Sequence, residues 1–446
     1  MTPATADGGA RARRVIGIAA VVLAVATALM LARIEPVASW YYALAWYPTI
    51  ALADAWAHRR DPRSPMLLDR PLVLGALLAW SAVIWFSFEL WNIRLQNWYY
   101  VNVPDHQLMR WFGTVIAFAT VLPGIFAITG LLETFAIGGR VRTRPFKISD
   151  RVQIGLLIAG GVSAALVLLW PRQWFPFIWG ATFFLIAPLN YRWGGRSLLR
   201  EVAAGRWGLV IQLLLSGAIC GLLWEMFNIQ ARTKWIYTVP GLTDWKLFEM
   251  PVLGFLGFPP FALECYEMYR ALVNLELAPD WETLPKSERG RAGATLLVRA
   301  GVVAGAIAIV AAALPLIDRY TIDSFTPRPK DLPAVDSELA AALADRGIDD
   351  VARMPAVLAD STAAASFGIG AERRQRLAGQ VELALLRGIG APNAGRLAAV
   401  GIDDPAELAL TDEAALASWL HAADPAYTPH PERLQVWVHA ARRTRR

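Results

Sequence analysis

Between residues 15 and 316 the apolar residues fall in blocks of about 17–24, the length an α-helix needs to cross the hydrocarbon core of a bilayer. Nine spans can be drawn, at about 15–32, 36–56, 71–90, 111–134, 152–170, 174–190, 207–228, 247–268 and 294–316. Composition agrees, with 56% hydrophobic and 18% charged residues and a mean hydropathy of +0.38. A soluble domain carries about a quarter charged residues. Pro48, Pro176 and Pro188 lie within the second and sixth spans, which membrane helices tolerate where neighbours satisfy the freed carbonyl. Arg11, Arg13 and Arg14 before the first apolar run outline a signal peptide, but no small-residue cleavage motif follows, and we read a retained helix.

The formal charge of +6 reflects topology rather than nucleic acid, because the basic residues sit in short connections and alternate between sides. One side holds Arg11, Arg13 and Arg14, then Arg59, Arg60, Arg63 and Arg70, then the Arg140–151 and Arg192–206 groups, then Lys286, Arg289 and Arg291. The other holds Arg33, Arg94, Arg110, Arg172, Arg232, Lys234 and Lys246. The positive-inside rule makes the first side cytoplasmic. The expected location is a bacterial inner membrane, with the N-terminus inside and, after nine spans, the C-terminal domain outside.

An internal repeat organises the membrane region. The third span ends FELWNIRLQNWYYVNVP (88–104) and the seventh ends WEMFNIQARTKWIYTVP (224–240). An offset of 136 carries Glu89 onto Glu225, Asn92 onto Asn228, Pro104 onto Pro240, Phe112 onto Phe248 and Asp54 onto Asn190; Trp98 and Tyr100 meet Trp235 and Tyr237 after a one-residue slip. Four spans per copy give both copies one orientation, so the repeats are parallel about an axis along the membrane normal. The expected fold is all-α: about nine transmembrane helices with two parallel four-helix repeats, plus a small helical domain. The division follows as 1–134 (first repeat), 135–292 (second repeat), 293–330 (final helix and linker) and 331–446 (helical domain).

Glu89 with Asn92, and Glu225 with Asn228, each share one helix face. Glu249 opens the eighth span on the same outer side, and its repeat-mate is Gly113. A carboxylate within a span rarely faces lipid; it pairs, knits helices together or serves a site. Gathered carboxylates favour the acid form. Glu249 and Glu225 are therefore the candidate catalytic residues, and Glu89, Asn92, Asn228, Trp98, Tyr100, Trp235 and Tyr237 the candidate ligand-binding ones. The aromatic residues also fit an interfacial belt. A cytoplasm-facing group, Asp54, Glu133, Glu264 and Glu267, reads as structural, with Arg270 a partner for Glu267. Pro259-Pro260 should kink or end the eighth helix. Glu249 and Glu264 lie about 22 Å apart along a straight helix and cannot share one compact site. Cys220 and Cys265 read as buried thiols, and no metal-ligand spacing or dinucleotide or phosphate glycine loop is present, so no cofactor is expected.

Residues 224–269 resemble the lycopene cyclase domain family of heterodimer-type carotenoid cyclases, through Asn228, the W-x-Y of Trp235 and Tyr237, Glu249 where that family carries paired acids, and Phe255 and Phe258 in the aromatic run. Met250 replaces the second acid. The resemblance implies isoprenoid-handling ancestry. If cyclase activity followed, Glu249 would donate a proton to a terminal double bond, Glu225 would be its partner or the base, and Trp235 and Tyr237 would steady positive charge.

After the prolines at 327, 329 and 333 the tail repeats GIDD (347–350, 401–404) and GIG (368–370, 388–390). Residues 385–420 resemble an uncharacterised tandem helix-hairpin-helix family. Such turns can offer backbone N–H groups to phosphate, here flanked by Arg387 and Arg396, but Asp403, Asp404 and a site outside the cytoplasm argue against nucleic acid. A protein-contact module is the expected role of 331–446. The basic end, Arg442, Arg443, Arg445 and Arg446, reads as solvated or as an anionic-lipid contact. Three classes stay open: a membrane scaffold or assembly factor binding a membrane lipid, isoprenoid or pigment-like molecule, which is preferred; a redox-neutral cyclase-like enzyme; and a transporter with paired repeats.

Overall fold

The computed structural model describes residues 3–240, 245–282, 284, 290–428 and 430–444; Lys286, Arg289, Arg445 and Arg446 lie outside the described residues. The chain is almost entirely helical and forms two compact units: Met1–Leu95, Trp111–Ala231 and Val252–Ile317 in the first, and Gln96–Arg110, Arg232–Pro251 and Asp318–Arg446 in the second.

The first unit is drawn from α1 (Pro3–Leu31), α2 (Val37–Arg60), α3 (Pro71–Leu95), α4 (Gln107–Phe118), α5 (Val121–Thr134), α6 (Asp150–Leu169), the short α7 (Pro171–Trp174), α8 (Ile178–Arg192), α9 (Leu198–Ala203), α10 (Gly208–Gln230), α11 (Phe258–Asn274) and α12 (Leu296–Tyr320). Among the described residues six helical stretches are long and apolar enough to cross a membrane: Gly8–Leu31, Pro71–Leu95, Gln107–Thr134, Asp150–Leu169, Gly208–Gln230 and Leu296–Tyr320. Several keep their apolar side chains on the outside, among them Val21, Ile158, Leu296 and Leu297. Such surface is costly in water and at home in lipid, which is consistent with a membrane-spanning region.

The remaining expected spans differ from the sequence reading. The α2 helix is long but less apolar, and α8 has only 15 residues, beginning at a break where Trp179 leaves helical geometry with ψ 19°. The helix expected from 247 begins instead at Phe258; residues 246–251 form a small hairpin of β3 (Lys246–Leu247) and β4 (Met250–Pro251), followed by a 3-10 turn, Val252–Gly257. Pro259 and Pro260 therefore open α11 rather than kink it, because the first helical turn has no use for their missing N–H groups. Gly217 and Gly221, four apart on α10, let α11 approach closely: a Cβ on Gly221 would collide with the Phe258 ring.

The second unit joins two helix-to-helix connections to the tail. From the connections come β1 (Trp98–Val101) and β2 (Lys234–Tyr237), paired antiparallel with Trp98 opposite Tyr237, Tyr99 opposite Ile236 and Tyr100 opposite Trp235. The tail supplies α13 (Ser337–Asp345), α14 (Met354–Ala359), α15 (Ser361–Ala365), α16 (Ala371–Leu385), α17 (Gly390–Ala399), α18 (Pro405–Leu410), α19 (Glu413–Ala423) and α20 (Pro431–Thr444). Tyr99, Val101 and Ile236 belong to the same apolar core as Leu377, Ile389, Leu397, Leu408 and Trp437. Asp336, Asp350, Asp360, Asp404 and Asp412 cap tail helices with their side chains.

The turn between α16 and α17 is buried. Gly388 and Gly390 both have positive φ, +82° and +72°. A Cβ on Gly388 would meet the Tyr99 hydroxyl, and one on Gly390 would meet Ser324. The Gly388 carbonyl accepts from Trp437 Nε1 at 2.7 Å and Tyr99 Oη at 3.3 Å.

Candidate functional site

The candidate residues divide between the units. Glu89, Asn92, Glu225 and Asn228 are fully buried in the first. Trp85 Nε1 donates to Glu89 Oε1 at 3.0 Å. The surrounding rings pack tightly: Phe88 stacks on Trp179, Phe261 meets Phe88, Trp85 and Trp179 edge-on, and Trp224 contacts Trp46, Phe258 and Phe261. Trp98, Tyr100, Trp235, Tyr237 and Glu249 belong to the second unit, the first four on the β1–β2 ribbon.

The cytoplasm-facing acids of the sequence reading act mainly on backbone. Glu264 Oε1 accepts from the Thr182 and Phe183 N–H groups at 2.8 and 3.3 Å, one turn beyond the break at Trp179. A helix start leaves such N–H groups without carbonyls, and a carboxylate there answers both the hydrogen bonds and the helix dipole. Asp54 does the same for Leu67 and Leu68, and Glu267 accepts from the Leu198 N–H at 2.7 Å while bonding Asn190. Glu133 is exposed. Arg270 takes other partners than the expected Glu267: it pairs with Asp280 at 2.7 Å and Glu282 at 3.4 Å, in the segment that follows α11 and folds back on it.

In the second unit Glu249 sits at the β3–β4 turn, fully buried, not at a helix start. Its Oε1 lies 2.6 Å from Arg387 Nε. The contact is an ion pair by distance but is not aligned as a hydrogen bond, and neither Glu249 oxygen has a hydrogen-bond partner among the described residues. Burial holds the Glu249 pKa above the ordinary carboxylate range, against the opposing pull of Arg387, then Lys246, Lys234 and Arg443. Lys234 in turn is brought down to about 8 by burial. The carboxylate lines a cleft of 220 Å³ together with Lys246, Arg387, His439 and Arg443. Sequence reasoning placed Arg387 beside a glycine turn and left out His439; nothing local to either ties them to an acid more than 130 residues earlier.

Close by in the tail's core, Asp323 accepts from Arg433 and from Asn393 Nδ2, both at 2.6 Å, and the Arg433 guanidinium lies over the Tyr99 ring. Arg232 pairs with Asp350, and Arg110 pairs with Asp318 at 2.7 Å. These acid–base pairs bind the connections to the tail. Cys220 and Cys265 are buried free thiols, and among the described residues no group of three His, Cys, Asp or Glu side chains is placed to share a metal. No protein-family model, curated protein or solved structure matches the chain.

Proposed function

We propose that this chain is an integral membrane scaffold or assembly factor whose second unit is a contact module for a protein partner. The observation that carries the reading is the construction of that unit. Two inter-helix connections and the tail share one apolar core and two partly buried ion pairs, so the tail is fixed to the connections and is not a tethered appendage. Leu410 and Trp419 project from it, 76% and 47% exposed, as large apolar side chains suited to a protein surface. Against proton-donating catalysis stands the Glu249–Arg387 contact at 2.6 Å, which opposes the rise in pKa that burial causes.

The finer architecture belongs to this proposal: nine spans in two parallel four-helix repeats, the N-terminus cytoplasmic and the tail outside an inner membrane. The β1–β2 register supports the repeat. A two-fold axis between equivalent strands pairs each residue with the mate of its neighbour, and Trp98 opposite Tyr237 with Tyr100 opposite Trp235 is that pattern. The resemblance to lycopene cyclase domains enters only as isoprenoid-handling ancestry.

The test combines two measurements on cells. A photo-crosslinking amino acid at Leu410 or Trp419 should give a discrete adduct with one partner protein, while lipid and isoprenoid pools stay the same with and without the protein. A lipid that accumulates in its absence, and that the purified protein converts, overturns the scaffold reading.

A further inference from the structure

The Glu249 cleft combines two opposite recognition elements. Lys246, Arg387 and Arg443 bring three positive charges, with His439 a fourth when protonated, against the single carboxylate. The cleft therefore has an anion-accepting rim. At its buried end Glu249 presents two carboxylate oxygens that no hydrogen-bond donor among the described residues satisfies, although the residue is wholly removed from solvent. Arg387 balances the charge at 2.6 Å without an aligned hydrogen bond, so the buried carboxylate keeps hydrogen-bonding capacity that a ligand donor can fill. The volume of 220 Å³ falls below the roughly 300–1,000 Å³ of sites for drug-sized molecules, which fits a small polar group better than a long apolar chain.

We propose that this cleft binds an aminoalkyl phosphate, the phosphate ester held by Lys246, Arg387 and Arg443 and the ammonium donated to Glu249. The chemistry is that of phosphoethanolamine, which occurs as a soluble ester and as a lipid headgroup. The site does not depend on the scaffold reading, since an enzyme or a transporter could carry it equally well. Guanidinium and ammonium groups hold phosphate oxygens by charge-assisted hydrogen bonds. The carboxylate selects an amine over a plain phosphate, because inorganic phosphate offers Glu249 no cation and adds a like charge.

The full-length protein is purified into nanodiscs of phosphatidylglycerol and titrated with phosphoethanolamine and with inorganic phosphate. In parallel, native mass spectrometry follows retained lipid after exposure to an equal mixture of phosphatidylethanolamine and phosphatidylglycerol. Saturable binding of phosphoethanolamine supports the proposal with a soluble source. Selective retention of phosphatidylethanolamine supports it with a lipid source. In either case Arg443→Glu, at an exposed helix end that leaves the core intact, should weaken binding by roughly tenfold or more, the worth of one charge-assisted contact. Glu249→Gln should erase the preference for the amine-bearing ligand. Absence of binding in both arms, Arg443→Glu without effect, or inorganic phosphate bound as well as phosphoethanolamine overturns it.

Discussion

The two units use carboxylates differently. In the helical unit Asp54, Glu264 and Glu267 turn toward backbone N–H groups at helix starts. In the unit that contains the tail, Asp323, Asp318 and Glu249 pair with arginines from distant parts of the sequence, and Asp350 pairs with Arg232 while also capping a helix start. The contrast follows from what each must solve. Buried helix starts expose N–H groups that need an acceptor. A domain assembled from three chain segments has instead to fix those segments against one another. The Arg196, Arg270, Asp280 and Glu282 cluster is the helical unit's exception, and it too ties down a connecting segment.

The contrast can be broken by substitution. The largest effect is expected from Asp323→Ala, which strands Arg433 in a mostly buried place. Removing one member of a buried pair costs about 3–5 kcal/mol. The tail should then become protease-sensitive at temperatures where the helical unit remains intact; equal loss in both units would undo the separation.

Within the tail the two GIG turns make a second comparison. Gly388 and Gly368 both have positive φ, but Gly388 abuts Tyr99 while space around Gly368 is open. Alanine at either costs about 1–2 kcal/mol for the left-handed backbone. At position 388 overpacking adds about 1–3 kcal/mol. Thermal unfolding of the purified variants should rank Gly388→Ala well below Gly368→Ala, and equal midpoints would mean the buried turn does not bear on the core.

Glu264 sharpens the other side. Glu264→Gln keeps the oxygen that accepts from Thr182 and Phe183, and should lower stability by less than about 1.5 kcal/mol. Glu264→Ala leaves those donors unsatisfied at about 1–3 kcal/mol each. Similar losses for the two, read from unfolding in detergent, would show that the charge matters rather than the acceptor.

The last effect is in pH. Lys234 is held near 8 in the folded protein, against about 10.4 when unfolded. Between those values the unfolded chain binds more protons, so the second unit should gain stability as pH rises from about 8 to about 10.4. Lys234→Gln should flatten that rise, and an unchanged profile would assign it to another group.

Much of the helical architecture could be read from the apolar blocks, because lipid crossing sets a length that sequence displays directly. The matching of β1 to β2 was implicit in the strings around Trp98 and Trp235, though their pairing depends on the chain returning to its own earlier connection. Two errors have one origin. Residues 247–257 carry enough apolar side chains to pass for helix, but Pro251, Gly254 and Gly257 break the backbone, so Glu249 lies in a turn and Pro259 starts the helix. Arg270 was matched to the nearest acid in sequence, whereas its partners arrive with a segment that folds back. Neither His439, which lines the cleft, nor Arg433, which pairs with Asp323, carries any local mark of its place, since tertiary packing alone brings them there.

The ribbon of two strands has a practical consequence for anyone who wants to move the C-terminal region into another host protein. Cut out after residue 317, that piece would leave Tyr99, Val101 and Ile236 behind and carry a hole where they were. A working transplant has to include both loops as donors, and a one-residue insertion in either would shift their facing residues out of match.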